Sequence, residues 1–280
     1  MVILVTARSR AASPDGGPFR RAGARGAAAP RENAAMDSRE LAGAVVIVTG
    51  ASSGIGAATA RLLYAAGAHP VLAARRADRL AALSAELGGA LAVVADVTDR
   101  GDIRRIAAAA LDRHGRINGL VNNAGVSLHL PLDRLDPADF ARVLDLNVVS
   151  VLAMTQAVLP AMRAQGSGSI VNVSSGTTRI APPGVGGYAA TKAALNLLTE
   201  VMRKELAGEG IAVSLVVPSI TATEFAGGRF LRGGPMPPGM VPHSAEYVGR
   251  IILRALRSGE ASIDIPHGPE QPGLDALPAD

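Results

Sequence analysis

Tyr188 and Lys192 stand four positions apart, a spacing that a helix converts into adjacency, because side chains at i and i+4 share one face. The chain has three tyrosines and two lysines, so a pair at this spacing arises by chance about 0.02 times. A free phenol has a pKa near 10, too high for efficient proton transfer near neutrality. A unit positive charge about 5 Å away, at an effective dielectric of about 20, contributes about 3 kcal/mol, or about two pKa units. The pair is therefore expected to form an acid/base centre in which Lys192 lowers the pKa of Tyr188.

A second grouping lies far upstream. Val45 to Thr49 is an apolar, β-branched run, followed by glycines at 50, 54 and 56 and then an Ala-rich stretch. Glycine lets the backbone turn sharply and approach a ligand, and a helix beginning there offers free N–H groups to a pyrophosphate. The segment reads as a phosphate cradle for a dinucleotide, with Gly50, Ser52, Ser53, Gly54, Ile55 and Gly56 as contacts. The same turn, Gly50 to Gly54, also fits a nucleophile elbow centred on Ser52. That rival, a serine hydrolase, would recruit an acid and then His243 or His267. At the end of the next strand an acid would hold a ribose 2′-hydroxyl, whereas a guanidinium suits a 2′-phosphate. Arg75 occupies that position, which favours NADP(H) over NAD(H), and Asp78 is read as the cap of the following helix.

These residues need a scaffold. The chain alternates short Val/Ile/Leu-rich runs with longer amphipathic or Ala-rich stretches, the pattern of a doubly wound, Rossmann-type α/β fold with helices on both faces of a parallel sheet. Seven strands are predicted, at 44–49, 70–74, 91–95, 119–122, 169–174, 212–217 and 262–265. Asp136-Pro137 is an N-cap followed by proline at the first helical position, and the helix pattern breaks around Asn147. Residues 147–162 are apolar nearly all round, which predicts cover from more than the sheet. The segment 218–243, with five prolines, is a long excursion of the kind that closes over a ligand.

With those features in place the chain resembles the short-chain dehydrogenase/reductase family, in its compact single-domain form, over about residues 40–265. The family's T-G-x-x-x-G-x-G stands as Thr49 to Gly56, its N-N-A-G as Asn122 to Gly125, and its serine thirteen residues before the tyrosine as Ser175. The resemblance implies an NAD(P)-dependent oxidoreductase that interconverts a small alcohol and its ketone or aldehyde by hydride transfer. It implies a catalytic set of Asn147, Ser175, Tyr188 and Lys192. Tyr188 would move the substrate proton and Ser175 would hold the substrate oxygen. Lys192 would hold the nicotinamide ribose, and Asn147 a water linked to it. It also implies cofactor contacts from Asp96 and Val97 at the adenine, from Asn123, Ala124 and Gly125, and from Pro218, Ile220 and Thr223. Where the family has glycine after Pro218, this chain has Ser219. Ser174 is the neighbouring decoy, turned to the other side by strand alternation. Asn122 is expected to support the central strand. The substrate pocket is expected to include Ser127, Leu128, Thr177, Ile180, Pro182, Phe225 and Phe230. A catalytically silent nucleotide sensor is the other alternative, against which the complete catalytic set argues.

Composition narrows the partners. Hydrophobic residues make up 48% and charged residues 19%, enough for one large core, and cysteine is absent, which excludes thiol chemistry and fits a reducing, cytoplasmic setting. Residues 1–35 hold six arginines against two acids, while the remainder balances 22 basic with 22 acidic residues. A nucleic-acid partner is therefore not expected, since phosphate affinity needs clustered cations. No uninterrupted apolar run has the length of a membrane span, so no membrane partner is expected either. The five histidines show no close pair in sequence, and no metal is expected. Residues 1–38 read as a flexible Arg/Ala/Gly/Pro-rich tail and 39–280 as one domain. The tail is either an Arg-rich presequence or a stretch preceding a true start at Met36; the second reading is preferred because Met36 leads straight into the first strand. A homodimer or homotetramer built through 147–162 and 187–207 is the expected assembly.

Overall fold

A computed structural model describes residues 41–228, 232 and 239–276. The predicted tail, and Phe230 in the pocket, lie outside the described residues. Seven strands alternate with helices: β1 (Val45–Thr49), α1 (Gly54–Ala65), β2 (His69–Ala74), α2 (Ala77–Glu86), β3 (Ala92–Val94), α3 (Arg100–His114), β4 (Gly119–Asn122), α4 (Pro137–Leu144), α5 (Ser150–Gln165), β5 (Gly168–Val173), α6 (Thr177–Ile180), α7 (Gly186–Leu206), β6 (Ile211–Val217), α8 (Ala245–Ser258) and β7 (Ser262–Asp264). All seven predicted strands are present, with ends moved by a residue or so. They form one parallel sheet in the order β3-β2-β1-β4-β5-β6-β7. The order reverses between β1 and β4, and a crevice opens at the carboxyl ends of strands at such a switch point.

Burial on both faces explains the unbroken apolar runs. Every residue of β1 is buried, with Val46 and Val48 packed on the side of α1 and α8, and Val45 and Ile47 on the side of α3, α5 and α7. Alternation along the strand thus feeds two cores. Each fully buried Val or Ile contributes about 1.5–3 kcal/mol. Local signals set the helix ends. Asp136 accepts from the Ala138 N–H and puts Pro137 in the first turn of α4. Asp99 accepts from the Asp102 N–H at the start of α3, which stops at Gly115 with φ of 71°.

The break around Asn147 is a π turn over Asp145–Val149 that joins α4 to α5. Together Pro137–Gln165 is long and apolar enough to cross a membrane by length and composition, which the broken apolar runs of the sequence did not suggest. It packs on β4, β5 and α3, and α3 supplies part of the cover predicted for 147–162. One reading needs correction. Asp78 lies in the first turn of α2 and does not cap it; Arg76 holds the cap position, and no side chain bonds the helix end. His69 and His114, distant in sequence, stack with ring centroids 5.1 Å apart because the start of β2 lies beside the end of α3.

Candidate active site

The glycine turn forms where β1 hands over to α1. Gly50 has φ of 67° and Gly54 of 53°, a region costly for other residues. A Cβ at Gly56 would lie 2.4 Å from the Gly50 carbonyl oxygen, so no side chain fits there. Ser53 is the N-cap residue of α1, but its side chain makes no capping bond and the first turn holds no acid. The first N–H groups of α1 are thus left for an external anion. With the glycine cradle open above them, the residues fit the pyrophosphate of a dinucleotide.

Asn123 and Thr49 lock this turn to the end of β4. The Asn123 Nδ2 donates to the Thr49 carbonyl at 3.0 Å, and Thr49 Oγ1 accepts from the N–H groups of Asn123 and Ala124 at 3.0 and 3.1 Å. The Asn123 amide therefore shapes the cradle from behind. Asn122 supports the sheet as expected, donating to Asn172 Oδ1 at 2.9 Å in the buried interior.

At the end of β2 the two arginines divide differently from expectation. Arg75, its side chain 69% exposed, lies 3.6 Å from the Asp96 carboxylate. Arg76 is the residue that reaches the turn, donating from Nε to Ser52 Oγ at 3.0 Å and from Nη2 to Ser53 Oγ at 2.5 Å. Adjacent arginines carry no sequence signal for which one folds back; the start of α2 at Ala77 decides it. Val97 is buried in the core, so its side chain is not open to an adenine, whereas Asp96 is half-buried and accepts from Thr98. The rival hydrolase triad is not assembled: Ser52 bonds Arg76, His243 packs on Tyr247 and His267 bonds Ser219 Oγ at 2.6 Å.

Across the crevice, β5 delivers the serines and α7 the tyrosine and lysine. Ser174 turns inward to Asn196. Ser175 Oγ accepts from the Thr177 N–H at 3.2 Å, and a hydrogen bond links it to the Tyr188 hydroxyl. Thr177, expected in the pocket wall, thus orients Ser175. Lys192 is buried, donates from Nζ to the Val173 carbonyl at 2.9 Å, and stands 6.0 Å from the Tyr188 ring centroid. Asn147 is fully buried on the π turn. Its amide accepts from the Val126 N–H and donates to the Val126 carbonyl and Thr191 Oγ1, all at 3.0 Å. A Cβ on Gly125 would come within 3.1 Å of Asn147 Oδ1 and 3.6 Å of Lys192 Nζ, which explains a glycine there.

The expected acidification of Tyr188 is reversed in this structure. Burial pushes its phenol up to about 12, opposed only by the Ser175 bond, and burial brings Lys192 down to about 8. The calculation from spacing counted only the attraction between the two groups, at a dielectric of about 20, and no loss of hydration; the fold removes them from water, which penalises both charged forms. Tyr188 is thus protonated at neutral pH.

The segment after β6 meets the same crevice. The Pro218 carbonyl accepts from the Gly176 N–H at 2.7 Å, and the Ile220 carbonyl from the His243 N–H at 2.9 Å. Thr223 is buried beside the turn, its Cβ 3.0 Å from where a Gly54 Cβ would stand. The Phe225 ring lies 5.9 Å from that of Tyr188, tilted by 53°. Ser127 is half-buried after β4, and Leu128 packs near Gly187. Ile180 lines a cavity of about 350 Å³ bounded also by Arg179, Asp264 and His267, which does not include Tyr188.

Residues 44–231 match the profile of the short chain dehydrogenase family. An uncharacterized oxidoreductase of Listeria innocua is 41% identical over 64% of this chain and 75% of its own length. The 3-oxoacyl-acyl-carrier-protein reductase of Synechocystis is 38% identical over 66% of this chain and 76% of its own. Among solved structures, a 3-ketoacyl-acyl-carrier-protein reductase from Brucella melitensis complexed with NADH superposes with a TM-score of 0.75 at 26% identity, covering 81% of this chain and 98% of that one.

Proposed function

Because the chain belongs to the short-chain dehydrogenase family of oxidoreductases, we propose that it interconverts a small, uncharged or weakly polar alcohol and its ketone or aldehyde, with NADP(H) preferred. The observation that carries this reading is the convergence of Ser175, Tyr188 and Lys192 on one crevice with the open glycine cradle. When bound, the nicotinamide supplies or accepts the hydride. Gly50, Ser52, Ser53, Ile55 and Gly56 would hold its pyrophosphate end. Arg75 and Arg76 would face the ribose 2′-phosphate, and Thr223 and Lys192 the nicotinamide end.

The protein's own part is proton management. In the reducing direction Tyr188, protonated because burial raises its pKa to about 12, donates its proton to the carbonyl oxygen. Ser175 Oγ accepts from the Thr177 N–H, and its own hydrogen, directed at the Tyr188 hydroxyl, would turn to that oxygen when substrate is bound. Lys192, with a pKa near 8, exchanges protons close to neutrality, and its charge favours the phenolate that donation leaves behind. Asn147 keeps the chain around Val126 in place beside Lys192.

The name of the Synechocystis relative puts 3-oxoacyl thioesters in a panel with simple ketones and aldehydes. The test follows NADPH absorbance across that panel and, for oxidation, NADP reduction across alcohols. Turnover with an uncharged carbonyl is expected. Tight nucleotide binding with no turnover on any member would instead favour a sensor.

A further inference from the structure

Thr223, Glu224 and Phe225 are consecutive residues that meet three separate stations of the crevice. Thr223 packs against the glycine turn at Gly54, and Phe225 lies over the Tyr188 ring. Between them the Glu224 carboxylate accepts from Arg76 at 3.0 Å and from Arg79 at 2.6 Å. Arg76 also holds Ser52 and Ser53, so its guanidinium is shared between two neutral hydroxyls of the cradle and one carboxylate of the segment after β6. The guanidinium at this point of a dinucleotide fold is the one that suits a ribose 2′-phosphate. A carboxylate and a phosphate present the same kind of acceptor to a guanidinium fork, and they repel each other.

We propose that Glu224 is a cofactor-discriminating residue, which competes with the ribose 2′-phosphate for Arg76 and Arg79 and whose displacement loosens Phe225 from Tyr188. The inference rests on the nicotinamide-dependent reading above and deepens it. NADP(H) must displace Glu224, whereas NAD(H) leaves it paired. The nature of the nucleotide at one end of the crevice is thereby communicated to the ring beside the phenol at the other, through the single peptide unit between Glu224 and Phe225. Arg75 pairs with Asp96 and not with Glu224, so Glu224 leaves that guanidinium to the 2′-phosphate and competes only for Arg76 and Arg79.

The experiment measures NADPH and NADH dissociation constants by nicotinamide fluorescence for the native chain, Glu224→Gln and Glu224→Asp. It also follows hydrogen exchange of residues 221–228 with each oxidised nucleotide. Both Glu224 and its partners are about half exposed, so the change should be modest and the fold intact. Glu224→Gln is expected to raise NADPH affinity about fivefold, the worth of one or two exposed ion pairs, with NADH affinity unchanged. Glu224→Asp, one methylene too short to span both guanidiniums, should behave in the same direction despite its charge. In the native chain NADP should speed exchange in 221–228 more than NAD does, and Glu224→Gln should abolish the difference. An unchanged NADPH-to-NADH affinity ratio in Glu224→Gln, native behaviour of Glu224→Asp, or equal exchange with both nucleotides overturns this inference alone. Failure of the native chain to bind either nucleotide overturns the proposed function and the inference with it.

Discussion

Replacing Lys192 by methionine should change how stability depends on pH more than it changes the fold. Lys192 is buried and its pKa is brought from 10.5 to about 8 by the loss of hydration around its ammonium. A difference of two and a half units between unfolded and folded states corresponds to about 3 kcal/mol, at 1.36 kcal/mol per unit. The sign follows from proton counting. Between pH 8 and 10.5 the unfolded chain holds the proton and the folded one releases it, so folding stability rises with pH in that window. Below about pH 8 both states are charged and the penalty is complete; above 10.5 both are neutral and it vanishes. Methionine keeps most of the side-chain volume and removes the titration, at the constant cost of the bond to the Val173 carbonyl. The chain has no tryptophan, so urea unfolding is best followed by circular dichroism at pH 7, 8, 9 and 10. The native protein should gain about 2–3 kcal/mol relative to Lys192→Met between pH 8 and 10, with similar m-values. Parallel stability curves for the two proteins would show that Lys192 is hydrated in the folded state, and the argument from burial would fall.

Tyr188→Phe should lower turnover by about 10²–10⁴, the range for removing a general acid, while NADPH binding stays within about twofold; a fully active variant rules out the proton donor assigned here. Arg76→Ala should weaken NADPH binding about tenfold and NADH binding much less, because only the former carries a 2′-phosphate for the guanidinium; equal losses would place Arg76 away from the 2′-phosphate. Gly56→Ala should abolish nucleotide binding and destabilise the fold by about 1–3 kcal/mol, since its methyl would meet the Gly50 carbonyl oxygen at 2.4 Å. Calorimetry that finds the variant native-like would mean the turn relaxes freely. Asn172→Ala should cost about 2–3 kcal/mol by leaving the Asn122 amide unpaired in the interior, without altering the NADPH-to-NADH affinity ratio.

The sequence by itself determined the scaffold and singled out the local groupings proposed for the site. Strands buried on both faces need unbroken apolar runs, and Val45–Thr49, Gly119–Asn122 and Ile211–Val217 could be read directly. Glycine spacing at 50, 54 and 56 and the four-residue step from Tyr188 to Lys192 are local patterns, visible because the chemistry they support depends on neighbours along the chain. Tertiary structure decided everything that depends on groups brought from elsewhere. The spacing of Tyr188 and Lys192 said nothing of their burial, so it could not show that desolvation would outweigh the charge between them. Arg75 and Arg76 are identical in type, and only the path from β2 into α2 selects Arg76 for the serines of the turn. Glu224 is separated from Arg76 by 148 positions, and Thr177 gained its role through the serine two residues before it once α6 turned there. A pKa or an ion pair reflects all the charge and solvent around a group, and that surrounding exists only once distant segments have packed together.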